Sequence, residues 1–219
     1  VLAVGAHPDD LEHGCAGTLA LWAGQGAEVT LLLLTSGEQG RRDDRGLPGE
    51  LASCREREQR AAARVLGARE VIFLRQPDGL LDDSLALRRT VAAVIRAARP
   101  HRLLSIDPWK PYELHPDHRA AGRVSLDAAF AAKETGLDPQ LGRPWRVREA
   151  WLYWPASPDR WVDISATVAT RVRALLCHAS QVGTDRAGHR EWVRMQAREA
   201  AAGSPRPCRY AEAFKVLEI

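Results

Sequence analysis

Cysteine is scarce in this chain of 219 residues: four are present, Cys15, Cys54, Cys177 and Cys208, with no Cys-x-x-Cys pair. That excludes a zinc knuckle, and such sparse use fits a reducing compartment better than a disulfide-stapled scaffold. No apolar run approaches the ~20 residues that cross a bilayer. No signal-peptide pattern is read either. The expectation is a cytoplasmic protein with no membrane partner. A dominant charge is also lacking. The formal net charge is +3 and the basic residues are scattered, so the footprint of a nucleic-acid binder is missing. Lysine is confined to Lys110, Lys133 and Lys215. The remaining cations are arginines, which suit carboxylate recognition.

What is present is an ordinary globular composition, 45% hydrophobic and 27% charged. The length suits one α/β unit, so a single domain over 1–219 is expected. Strand and helix signals alternate. Val1–Ala6, Val29–Thr35, Val71–Leu74 and Arg102–Ile106 read as strands. Thr18–Gln25, Glu50–Leu66, Ser84–Ala98 and His118–Phe130 read as the helices between and after them. Gly26, Gly67 and Pro100 are placed to stop three of the elements. Short strands are predicted at Ala150–Trp154, Trp161–Asp163 and Phe214–Leu217, with helices over Thr167–His178 and Glu191–Ala202. The order implies a Rossmann-like three-layer α/β/α fold with a mostly parallel sheet. Its predicted strand order is 3-2-1-4-5, plus the short C-terminal strands.

Two clusters carry chemistry. Ala6-His7-Pro8-Asp9-Asp10-Leu11-Glu12 follows the first strand, and His115-Pro116-Asp117-His118 follows the fourth. In the 3-2-1-4-5 order these strands are neighbours at the point where the chain reverses direction, where a crevice opens. His7, Asp10 and His118 would give a metal two imidazoles and one carboxylate, a donor set that leaves room for water. Asp9 is then an ionised carboxylate beside the metal, placed to take a proton. His115 and Asp117 read as a pair, the carboxylate orienting the imidazole. Pro8 and Pro116 restrict the histidines before them to extended geometry.

These residues resemble the PIG-L/LmbE-like metal-dependent N-deacetylases. The anchors are the two clusters. Weaker similarities are Thr35-Ser36-Gly37-Glu38-x-Gly40, Arg55-x-x-Glu58, Pro77-Asp78-Gly79 and His178-x-Ser180-Gln181. The resemblance implies His7, Asp10 and His118 as metal ligands, Asp9 as general base, and an electrostatic or acid role for His115 supported by Asp117. It places Arg55 and Asp78 near the sugar. The implied cofactor is Zn2+, although histidine and carboxylate donors also suit Fe2+. The implied substrate is a small N-acetylglucosamine derivative, with a bacillithiol precursor favoured. The implied assembly is a homo-oligomer, a trimer or hexamer. One departure is visible: some relatives carry tyrosine two residues before the first histidine of the second cluster, where this chain has Glu113.

Plainer readings stand beside these. Glu12 reads as a carboxylate satisfying N–H groups at a helix start. Arg55 reads equally as a helix salt bridge. Arg41-Arg42-Asp43-Asp44-Arg45 reads as a solvated loop. Trp109 and Tyr112 are candidates to stack on a sugar. Trp145, Trp151, Trp154, Trp161 and Trp192 are expected in core or subunit contacts. His178 is expected at a helix C-terminus, and the cysteines as small buried apolar residues. Two other function classes remain: an amidase acting on a non-sugar N-acyl substrate, and a sugar-binding relative without catalysis.

Overall fold

The computed structural model describes residues 1–40 and 48–219; the run Arg41–Arg45 lies outside them. In chain order the elements are β1 (Leu2–Gly5), α1 (Asp10–Gly14), α2 (Ala16–Gly24), β2 (Thr30–Thr35), α3 (Pro48–Leu66), β3 (Glu70–Gln76), α4 (Leu85–Ala98), β4 (Arg102–Ile106), α5 (Pro116–Lys133), β5 (Glu149–Tyr153), β6 (Arg160–Asp163), α6 (Val168–Leu175), α7 (Ala179–Val182), α8 (Arg186–Ala202) and β7 (Ala211–Glu218). They form a seven-stranded sheet ordered β3-β2-β1-β4-β5-β7-β6. The 3-2-1-4-5 part is parallel, as the alternating pattern requires. β7 runs antiparallel to β5 and to β6. Helices α4 and α5 pack together, and α2, α3 and α6 form a second group, giving the three layers. Among the described residues no helix is long and apolar enough to cross a membrane.

The centre of the sheet is dry. All six residues of β2 are buried, as an unbroken Leu31–Leu34 run demands of a strand covered on both faces. β3 lies at the edge and is only partly covered. Helix α4 starts where Ser84 accepts the N–H of Leu87, and ends at Arg99 (φ 48°) before Pro100. Gly67 takes φ 76° to close α3, a backbone angle open to glycine at no steric cost.

Beyond β6, three boundaries differ by three or more residues from the sequence reading. β7 begins at Ala211 rather than Phe214. Its buried Glu212 reads as loop-like, yet its carboxylate accepts the N–H groups of Gly17 and Thr18 (2.9 and 2.7 Å) at the start of α2 and lies 3.2 Å from Arg171. α8 begins at Arg186 rather than Glu191, because Asp185 caps it through Gly188 N–H. The predicted Thr167–His178 helix stops at Leu175, and His178 instead precedes α7. The four cysteines are free; only Cys15 is fully buried, the other three being half-buried.

Buried Arg96 ties α4 to the far end of α5. It donates to the carbonyls of Ala131, Ala132, Glu134, Leu137, Asp138 and Gly142, several of them orphan acceptors of a helix C-terminus. We expect Arg96→Met to cost about 3 kcal/mol through the carbonyls left unsatisfied. That is about 6–12 °C in Tm for a chain of this size, measured by calorimetry. A shift below about 2 °C would show that water replaces the guanidinium.

Candidate metal centre and its supporting groups

β1 and β4 are direct neighbours, with Leu2 opposite Leu103 and Ala3 opposite Leu104. Both therefore release their chains at one rim. From β1 the chain reaches His7, and Asp10 opens α1. From β4 it reaches His115, which caps α5, and Pro116 supplies the first helical residue, a position where a missing N–H costs nothing. Residues 108 positions apart meet as a result: the His7 and His115 rings lie 4.6 Å apart, and His115 stacks on His118 at 4.4 Å.

The Asp10 carboxylate stands between the two expected histidine ligands. Oδ2 accepts the His7 N–H (2.8 Å) and lies 3.5 Å from His7 Nδ1, while Oδ1 lies 3.4 Å from His118 Nε2. Donors about 2.1 Å from a tetrahedral zinc sit about 3.4 Å from one another. Both separations therefore suit a shared ion, and two imidazoles with one carboxylate suit zinc. One nitrogen from each of His7, His115 and His118 also lies within 4.8 Å of the others, as do donors of His7, Asp78 and Asp117.

The charges point the same way. Burial opposes an imidazolium at His7, but Asp10, Asp117 and Asp78 outweigh it and push its pKa up to about 12. Burial likewise opposes charge on Asp10, yet His7 and His118 hold it well below the usual carboxylate range. A pocket that favours a proton on His7 so strongly has the negative potential that a cation needs. His115 moves the other way: burial, then the neighbouring His7 and His118, lower its pKa.

Asp117 does not sit with His115, as the sequence reading had it. Its carboxylate is fully buried, 3.1 Å from His7 Nε2, and accepts the N–H groups of Gly79 (2.8 Å) and Leu81 (3.1 Å). Residues two apart at a helix start do not share a face, so Asp117 turns inward while His115 stays at the surface. Asp78 approaches the same His7 nitrogen at 3.1 Å and accepts Gln39 N–H at 2.7 Å. The two carboxylates hold the Nε2 side of His7, leaving Nδ1 toward Asp10.

Asp9 precedes α1 with φ 98°, in the left-handed region that a side chain rarely adopts. Burial raises its pKa, and Arg55, whose Nη2 is 3.3 Å from Oδ1, works against that rise. Arg55 itself is buried. Glu12 is no helix cap: its fully buried carboxylate accepts from Gln59 Nε2 (2.9 Å) and lies 3.3 Å from buried His178. Trp109 and Tyr112 are exposed on the loop before His115.

Two neighbours of His118 were not read from sequence as site residues. Glu113 Oε1 lies 3.5 Å from Nδ1, and Trp154 lies 5.5 Å away ring to ring. Trp154 directly follows β5, so its position at a strand's C-terminal end was the available signal. Glu113 was visible only as a departure from relatives.

An α/β fold with histidines and carboxylates converging at its switch point is an arrangement able to hold a metal ion, and comparison with known proteins gives the family. Residues 2–129 match the model of the PIG-L family, GlcNAc-PI de-N-acetylase; the chain belongs to that family. It is 35% identical over 194 residues to the diacetylchitobiose deacetylase of Thermococcus kodakarensis, covering 84% of this chain and 71% of that protein. The solved N,N'-diacetylchitobiose deacetylase of Pyrococcus horikoshii superposes with a TM-score of 0.93 at 28% identity, over 99% of this chain and 83% of that one. The 4-carboxy-2-hydroxymuconate hydratase GalB of Pseudomonas putida superposes at 0.80 with 25% identity, over 100% and 96%. One fold thus hosts more than one reaction, and function has to be argued from the site.

If Asp117 orients His7, Asp117→Asn should weaken Zn2+ affinity at least ~10-fold, the usual effect of removing such a partner. Chelator competition measures it. Unchanged affinity would mean that Asp117 holds only the Gly79–Leu81 loop.

Proposed function

We propose that this chain is a divalent-metal hydrolase, zinc by preference, that removes the N-acetyl group from a small N-acetylglucosamine derivative. The observation that carries the reading is the Asp10 carboxylate held at 3.5 and 3.4 Å from one nitrogen each of His7 and His118. In this reading His7, Asp10 and His118 hold the ion, and residues 1–219 act as one domain. The ion, when bound, supplies Lewis acidity and lowers the pKa of water to ~7.

The remaining steps belong to the chain's own side chains. Asp9 takes the proton of the attacking water. The water oxygen bonds to the amide carbon. His115, the most exposed of the three clustered histidines, offers its ring N–H to the carbonyl oxygen as charge builds there. The C–N bond breaks, the proton carried by Asp9 passes to the departing nitrogen, and a free amine leaves with acetic acid, which gives up the second water proton to solvent as acetate. Asp117 and Asp78 keep His7 oriented. The exposed Trp109 and Tyr112 are offered to the sugar.

Within this class we favour a diacetylchitobiose-like substrate over the bacillithiol precursor suggested by the sequence. Two of the three relatives named above are diacetylchitobiose deacetylases, which supports that choice. The oligomer implied by the resemblance, a trimer or hexamer, stays part of this reading.

An acetate-release assay over diacetylchitobiose, N-acetylglucosamine, its malate glycoside and simple N-acetyl amines, with metal content measured on the same sample, tests the reading. Release from the sugars alone supports it. Release from the simple amines at equal rates would make this a general amidase. No release with metal bound would leave a binding protein or another reaction. Asp9→Asn should keep its metal and lose ~10²-fold or more in kcat, whereas His118→Ala should lose the metal itself.

A further inference from the structure

The two histidines expected to hold the ion are backed differently. The Nε2 side of His7 meets two carboxylates, Asp117 and Asp78. His118 turns Nε2 to Asp10 at 3.4 Å. Its Nδ1 is buried and has no hydrogen-bond partner among the described residues. A neutral imidazole that gives Nε2 to a metal carries its proton on Nδ1, and a buried N–H without an acceptor is costly.

An acceptor stands close by. Glu113 Oε1 is 3.5 Å from Nδ1, just beyond the ~3.2 Å limit of an ordinary N–H···O bond. Other contacts hold that carboxylate in place. Oε1 also accepts the His115 N–H (3.2 Å), and Oε2 pairs with Lys110 Nζ (3.1 Å). The Glu113 carbonyl accepts from Arg119 Nη1 (2.6 Å). The His118 ring has aromatic neighbours as well: His115 stacks on it at 4.4 Å and Trp154 lies 5.5 Å away. Lys110 Nζ in turn sits 5.8 Å over the Trp154 ring.

The stack sets the plane of the His118 ring. Asp10 and Glu113, one at each nitrogen, set its rotation within that plane. A half-turn about the Cβ–Cγ bond would put carbon where the two nitrogens stand and face both carboxylates with C–H. Glu113 lies outside the two clusters, at the position where this chain departs from the tyrosine of some relatives. Tyr112, one step earlier, does not fill the place: it is 96% exposed, with φ 60°.

We propose that Glu113 is a positioning residue of the metal centre: it accepts the Nδ1 proton of His118 and so keeps Nε2 aimed at the ion shared with Asp10 and His7. This rests on the reading of His118 as a metal ligand. Glu113 acts through His118 and does not itself bind the ion.

The test reads metal affinity and ring chemistry, not turnover. In chelator competition, Glu113→Ala should weaken Zn2+ affinity about 10-fold or more, as loss of such a partner does. In a Lys110→Met background no ammonium competes for an amide oxygen. There Glu113→Gln should hold affinity within about 3-fold of Lys110→Met itself, because the glutamine oxygen still accepts. Nitrogen-15 histidine spectra of the zinc-loaded native chain should show His118 metal-bound at Nε2 and protonated at Nδ1, with the Nδ1 proton shifted downfield by its hydrogen bond. In Glu113→Ala that proton should lose the shift and exchange faster with solvent. Thermal melts of the metal-free variants check the fold, and if Glu113→Ala fails to fold, Glu113→Met carries the same expectations. Zn2+ affinity within about 2-fold of the native value in Glu113→Ala would overturn the proposal. So would an Nδ1 proton unmoved by that change, or equal losses for alanine and glutamine in the Lys110→Met background. Native affinity retained in His118→Ala would overturn the ligand reading together with the proposal. Zinc bound as expected but no acetate released would count against the reaction proposed above and leave the role of Glu113 standing.

Discussion

Everything at the rim depends on the parallel pairing of β1 with β4. Leu2 opposite Leu103 and Ala3 opposite Leu104 are short apolar contacts with no chemistry of their own. They fix where two loops begin. A slip of one residue would turn each strand's side chains to the other face and separate the histidines that now lie 4.6 Å apart. The surrounding strands make such a slip costly, because β1 and β2 are buried on both faces and hold their registers through four and six residues of dry sheet.

From that pairing the site is built in layers of charge. Asp10 lies between His7 and His118. Asp117 and Asp78 lie behind His7, and Glu113 lies behind His118. Imidazoles aligned by carboxylates keep one nitrogen free for a metal and become better donors. Beneath Asp9 lies a second layer, of Gln59, Glu12, His178 and Arg171, which has no access to substrate. Burying so many polar groups is tolerable because most of them face a group of opposite character.

Much of this was legible in the sequence. Two short clusters after strand-like runs gave the site, and the alternation of strands and helices gave the parallel order. What was hidden depends on residues distant in the chain. Asp117 lies between His115 and His118 in the sequence, yet its partner is His7, 110 positions away. Glu12 reads as a helix-start carboxylate until Gln59 and His178 arrive beside it. Glu212 falls outside the predicted Phe214–Leu217 strand, yet Gly17, Thr18 and Arg171 claim its oxygens. Local pattern shows which groups are polar, but only the tertiary fold shows what satisfies them.

The central claim is that one ion is gripped jointly by side chains from the two strand ends. Anomalous diffraction at the zinc edge from a crystal grown with the metal tests it most directly. The account predicts one peak ~2.1 Å from His7 Nδ1, an Asp10 oxygen and His118 Nε2. A peak held instead by His7, Asp78 and Asp117, or none at this rim, would contradict it.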